Sequence, residues 1–256
     1  MIKLVYVLER RADVTPADFH DYWLRGHGPK VRERAGAIRA RRYVQSHLID
    51  TPRNEGLRAP RGMLGPVPGI TEVWWDSLAD FQAAAADPAG AAALAELAAD
   101  EDTFIDVPRS QVFLTRENFI FDFTGGARFG PEAVKCTYLL TRRNDLTVEA
   151  CHQTWLTDHG PLVASFARDL RMARYIQSHT TAPELNAGFV AGRGLAAPLD
   201  GITEVWMHSL EAGDGAGATE NGRRAGPALV EDERRFVEMG RSRCFFTREH
   251  EIFDYT

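Results

Sequence analysis

The chain has 256 residues, 44% of them hydrophobic, and a net charge of −6. That is enough chain to bury a sizeable core, with the composition of an ordinary globular protein. The modest acidic balance and the absence of a basic stripe argue against nucleic acid as a partner.

The first apolar, β-branched run, residues 3–8, reads as a strand. It is too short for a signal peptide and no cleavage signal follows. Thr15 and Pro16 start a helix as N-cap and first-turn proline. Phe19, Tyr22 and Trp23 then fall on one face. Gly26, Gly28 and Pro29 predict an interruption at His27, a bend that presents its ring. A second helical piece follows over 29–37, then a strand over 41–47. Residues 50–68, rich in Pro, Gly and Arg, are expected to form a long loop of the lid or binding kind. A strand over 70–75, a helix capped by Ser77 and restarted at Asp87-Pro88, and a strand over 111–115 complete the first unit. A linker spans about 124–131.

The order then repeats. His159 lies 132 residues after His27. At the same offset Arg42-Tyr43 returns as Arg174-Tyr175. Gln45-Ser46-His47 returns as Gln177-Ser178-His179. Gly69-Ile70-Thr71-Glu72-Val73-Trp74 returns as Gly201-Ile202-Thr203-Glu204-Val205-Trp206. A period near domain size means a duplicated domain, with units over 1–123 and 133–256. The second unit has a strand over 135–140 and a helix over 148–170 broken at His159. A strand over 174–179 precedes a long loop over 180–200, and further strands cover 202–207 and 243–246. Gly213, Gly215 and Gly217 degrade the last helix pattern, so a loop is expected there.

Each unit reads βαββαβ, the order of a ferredoxin-like sheet with both helices on one face. The bare faces of two such sheets can cover each other. The fold class is therefore α+β, two ferredoxin-like repeats closing an intramolecular pseudo-dimeric α+β barrel. Cys136, Cys151 and Cys244 show no paired spacing. This argues against a disulfide framework and fits a reducing cytoplasm. No apolar run is long enough for a membrane span.

The helix motif Phe19-x-x-Tyr22-Trp23-x-x-x-His27-Gly28-Pro29, the following Arg42-Tyr43-x-Gln45 strand and the βαββαβ order resemble the EthD family, of the dimeric α+β barrel superfamily. The resemblance covers the whole chain as two fused copies and implies the barrel. It implies a cofactor-free enzyme of aromatic-ring or polyketide metabolism, with decarboxylases, lyases and isomerases among similar proteins. In the second copy Cys151, Thr154 and Asp158 replace Phe19, Tyr22 and Gly26, so the two sites need not be equivalent. The fuller motif points to the first unit as the working one.

Candidate catalytic residues are His27 and His159, with His47 and His179 at strand ends. A histidine exchanges protons near neutral pH. The competing reading is a histidine bonded to backbone that fixes the bend. Tyr43, Gln45 and His47 share one strand face, as do Tyr175, Gln177 and His179. With Glu72 and Glu204 they are candidates to orient a carbonyl, or else form a self-satisfied polar network. Tyr22, Trp23, Trp74, Trp155 and Trp206 are core or the walls of an aromatic pocket. A metal set of His27, His47 and Glu72 lacks supporting ligand spacing, so none is expected. The expected function is acid–base chemistry without a cofactor on a small aromatic or polyketide-like substrate. Decarboxylation or a related lyase step ranks first, then isomerisation or cyclisation. A cofactor-free monooxygenase and a non-catalytic ligand-binding protein are the alternatives. A homodimer of the fused chain is compatible with this reading.

Overall fold

The computed structural model describes residues 1–256. The first repeat runs β1 (Ile2–Leu8), α1 (Pro16–Tyr22), α2 (Gly28–Arg34), β2 (Arg42–Leu48), α3 (Arg53–Arg58), β3 (Gly69–Trp75), α4 (Leu78–Ala86), α5 (Pro88–Glu101) and β4 (Gln111–Asp122). The second runs β5 (Val134–Leu140), α6 (Val148–Thr154), α7 (Gly160–Phe166), β6 (Arg174–Thr181), α8 (Pro183–Arg193), β7 (Gly201–Met207), α9 (Glu220–Glu233) and β8 (Arg243–Asp254). No helix is long and apolar enough to cross a membrane.

The eight strands close one antiparallel barrel in the order β1-β3-β2-β8-β5-β7-β6-β4. Two seams, β2 with β8 and β4 with β6, join the repeats. Strands β4 and β8 extend well beyond the short strands expected, because their second halves pair across these seams. Closure leaves no sheet edge unpaired.

Strand alternation sorts side chains into two compartments. One face turns inward, where Val5, Val7, Ile70, Leu139, Ile202 and Phe245 form an apolar core. The other face carries the helices. Trp23 and Trp155 are fully buried there. A Cβ at Gly69 would lie 2.4 Å from the Trp23 ring, and one at Gly201 2.7 Å from Trp155. Only glycine lets the indole lie flat on the strand start.

Three expectations need correction. The stretch 50–68 is not simply a loop, since α3 and a 3₁₀ turn (Ala59–Arg61) lie within it, and α8 occupies the matching place in 180–200. Asn54 holds α3 on the opposite repeat. It accepts from Phe246 N at 2.9 Å and donates to Ile49 O at 2.8 Å. Asn186 does the same for α8, with Leu114 and Thr181. The glycine-rich segment forms a 3₁₀ stretch (Glu211–Ala218) leading into the helix α9, which Thr219 caps by accepting from Gly222 N at 2.9 Å. Finally, the helix does not break at His27 or His159. It widens into one π-helical turn, Trp23–His27 and Trp155–His159, and continues.

One end of the barrel interior holds a buried ion cluster. Lys3 contacts Glu72 at 3.3 Å, Glu117 at 3.1 Å and also Glu204. Lys135 contacts Glu204 at 3.1 Å, Glu249 at 2.9 Å and also Glu72. Ser46 donates to Glu72 and Ser178 to Glu204, each at 2.9 Å. Two lysines face four carboxylates. Burial and the neighbouring Glu72 charge push the Glu204 carboxyl up to about 7. Glu72 is held low because both lysine charges outweigh its burial.

Glu204 therefore holds its proton more tightly folded than unfolded, where its ordinary value is 4.5. Its contribution to stability is whole below that pH and is lost as pH rises through about 7. Glu204→Gln should flatten this fall in a melting-temperature series from pH 4.5 to 8. Glu72→Gln, which strips a carboxylate from two buried lysines, should cost about 3–5 kcal/mol.

Candidate functional site

Both histidines of the repeated motif sit at the end of the π turn, facing an acid on the last helix of their repeat. His27 Nδ1 lies 2.8 Å from Asp100 Oδ2, and His159 Nδ1 lies 2.8 Å from Asp232 Oδ2. The bonds to His159 and from Arg235 hold the Asp232 carboxyl below its usual range against burial. Burial likewise fails to raise Asp100, because Lys30, Tyr22 and His27 bond to it. An ionised acid on Nδ1 fixes the tautomer that leaves Nε2 free as a base. In the first repeat Tyr22 donates to Asp100 at 2.6 Å, and its ring lies where a Cβ at position 26 would sit, 2.6 Å away. Thr154 clears that space, which is why Asp158 can replace Gly26.

The π turn is held from the sheet. Gln45 Nε2 donates to Trp23 O at 2.7 Å and to Tyr43 Oη at 3.0 Å; Gln177 does the same to Trp155 O and Tyr175 Oη, both at 2.8 Å. His47 and His179 donate from Nε2 to the glutamine oxygens at 3.0 Å. Their rings stack on Trp23 and Trp155, with centroids 4.2 and 4.5 Å apart. Burial, with neighbouring histidines, pushes His47 down to about 2 and His179 down to about 3, so both stay neutral. These groups clamp the helix to the sheet.

Glu72, Glu204, Trp74 and Trp206 lie on the inward face and so do not join the histidines. The indoles donate to Glu117 at 3.1 Å and Glu249 at 2.9 Å. The metal set of His27, His47 and Glu72 is divided by the sheet itself. The carboxylates of Glu72, Glu204 and Glu249 do lie within 4.8 Å of one another. However, Lys3 and Lys135 already supply the positive charge there.

A cavity of about 470 Å³ opens between sheet and helices in the second repeat, not the first. Of the sequence candidates it brings together His159, Trp155 and Tyr175. The rest of its wall is mostly apolar. The 132-residue offset explains the asymmetry. In the first repeat Phe81 packs edge-on against Trp75 at 5.0 Å and against Phe189 at 5.9 Å, and Leu94 joins the same cluster. Their counterparts are Gly213, Met207, Leu57 and Gly226, all of which line the cavity. A Cβ added at Gly213 or Gly226 would meet nothing within 4 Å.

The polar part of the wall went unread in the sequence. Glu233 is 4% exposed and takes a two-pronged ion pair from Arg61, at 2.7 and 2.9 Å. Tyr138 Oη lies 3.5 Å from both Glu233 Oε2 and Met239 Sδ. Burial pushes the Tyr138 phenol well up, so it stays protonated. Cys136 and Cys244 face each other at 3.6 Å in the same wall, where the first repeat has Leu4 and Val112. Asp100 with Asp232, Glu101 with Glu233 and Arg61 with Arg193 all keep the 132-residue spacing, and that was the available signal.

The sequence profile of the EthD domain matches twice, over residues 11–108 and 143–240. No curated protein matches the sequence. Among solved structures, a Fusobacterium nucleatum protein described as a "putative monooxygenase" aligns over 98% of this chain and 92% of its own. Its TM-score is 0.51 at 5% identity. A Lactobacillus acidophilus protein with the same description aligns over 97% and 93%, at TM-score 0.49 and 10% identity. At 5% identity the likeness to the Fusobacterium protein is one of fold alone. With the profile matching well over half its length, in both repeats, the chain belongs to the EthD family, as a tandem of two EthD domains sharing one closed α+β barrel.

Proposed function

We propose that the second-repeat cavity is the active site of an enzyme that moves protons on a small aromatic, polyketide-like substrate. The observation that carries this reading is the His159–Asp232 pair set in the wall of an apolar cavity. His159 Nε2 acts as general base, and later acid, toward a phenol or a carbon next to a carbonyl. Tyr138, kept protonated, donates a hydrogen bond to an oxygen of the bound substrate. A lyase step such as decarboxylation, or an isomerisation or cyclisation, needs no more than this from the protein. The reading treats residues 1–123 and 133–256 as ferredoxin-like units. It is supported by their shared strand order, β4-β1-β3-β2 and β8-β5-β7-β6. The first repeat keeps the same polar groups under a filled core and serves as scaffold.

The description carried by the Fusobacterium neighbour suggests a second reading, oxygen insertion into an electron-rich ring in the same cavity. Oxygen uptake during turnover separates the two.

A panel of aromatic carboxylic acids and polyphenols tests the proposal. His159→Ala should lower kcat by about 10²–10⁴-fold while ligand still binds, and His27→Ala should leave turnover intact. Unchanged kcat in His159→Ala defeats the acid–base mechanism. Gly213→Phe should fill the cavity, abolish ligand binding and raise stability by about 1–2 kcal/mol, read by calorimetry and thermal unfolding.

A further inference from the structure

The second repeat's cavity is not built by the second repeat alone. Helix α3 and the 3₁₀ turn after it belong to the first repeat, yet Leu57 and Arg61 form part of the wall. Arg61 crosses to Glu233 on α9 and also donates to Leu57 O at 3.0 Å, which ties the guanidinium to its own helix. Arg193 crosses in the reverse direction to Glu101. There the phenol equivalent to Tyr138, on Tyr6, has no hydrogen-bond partner at all.

The polar groups at this end of the cavity are unequally satisfied. Arg61 and Glu233 form a short, two-pronged, nearly buried pair, so the carboxylate is fixed in place. Tyr138 makes only two contacts, both at 3.5 Å, the outer limit of a hydrogen bond. The site thus offers a firmly held acceptor beside a donor free to turn. The complementary ligand group is a hydroxyl, which donates to one and accepts from the other. The ion pair is internally neutral, and the other arginine of the wall, Arg53, is paired with Asp214, so the cavity has no unpaired arginine with which to favour a ligand anion.

Resting on the cavity reading above, we propose that Arg61 is a specificity-determining, positioning residue, holding Glu233 so that Glu233 and Tyr138 together select a neutral phenolic hydroxyl on the aromatic substrate. The first repeat thereby sets the selectivity of the second.

The test compares 1-naphthol with its methyl ether, 1-methoxynaphthalene, by titration calorimetry on the full chain. The two share the ring system and differ by one methyl group on the oxygen, and only the phenol can donate. The expected result is preference for the phenol by at least about tenfold, the worth of one hydrogen bond to a charged group. Arg61→Met should bring that ratio toward one while leaving ether binding nearly unchanged, and Arg61→Lys should restore part of it. Glu233→Gln keeps the shape of the side chain and should also lose the preference, which covers the case where Arg61→Met fails to fold. A phenol-to-ether ratio near one in the unsubstituted protein overturns this proposal while leaving the cavity reading intact. So does a ratio that survives both Arg61→Met and Glu233→Gln. If neither compound binds, the proposal and the cavity reading fail together.

Discussion

The ion cluster inside the barrel ties the two repeats into one body. Each lysine contacts the strand glutamate of both repeats, so the charges of the two halves are shared across the barrel. Buried lysines and glutamates without partners are costly, and removing one member strands the others. The arrangement therefore requires both sheets, and it requires them in one register. The lysine ammonium groups occupy the space between these carboxylates.

With the interior committed to closure, chemistry is left to the outward face. The same strand that sends Lys135 and Leu139 inward sends Cys136 and Tyr138 toward the helices. The π turn then brings His159 down onto that face, with Gln177 donating to the same Trp155 carbonyl that closes the widened turn by accepting from Gly160 N. A π turn inserted in a helix often marks a functional position. Here it places the ring nitrogen Nδ1 against Asp232 and leaves the other nitrogen for the cavity.

The two repeats share nearly all of this machinery and differ in bulk. The first retains the histidine–acid pair, the crossed arginine and the phenol, but Phe81, Trp75, Leu94 and Phe189 close over them. The second replaces those side chains with Gly213, Met207, Gly226 and Leu57. Close-packed interiors leave few voids larger than a water molecule. A cavity of this size at one of two equivalent places is therefore a difference in kind between the repeats. The fuller sequence motif of the first repeat reflects packing around Tyr22 and Gly26 rather than an open site.

The sequence by itself determined the duplication and the order of strands and helices, because repeats, alternation and caps are local signals, and its resemblance to the EthD motif implied the barrel and the family. It also singled out His159, Trp155 and Tyr175. It could not separate Glu72 from His47. Each strand's own alternation was legible, but which face of one strand meets which face of the next is set by pairing. Nor could it find Glu233, Arg61 or Tyr138, whose meeting depends on α3 of one repeat crossing to α9 of the other. The glycines that read as a broken helix are the ones that empty the cavity. A missing side chain has no periodicity of its own, and only the packing around it decides whether the space is filled by a neighbour or left for a ligand.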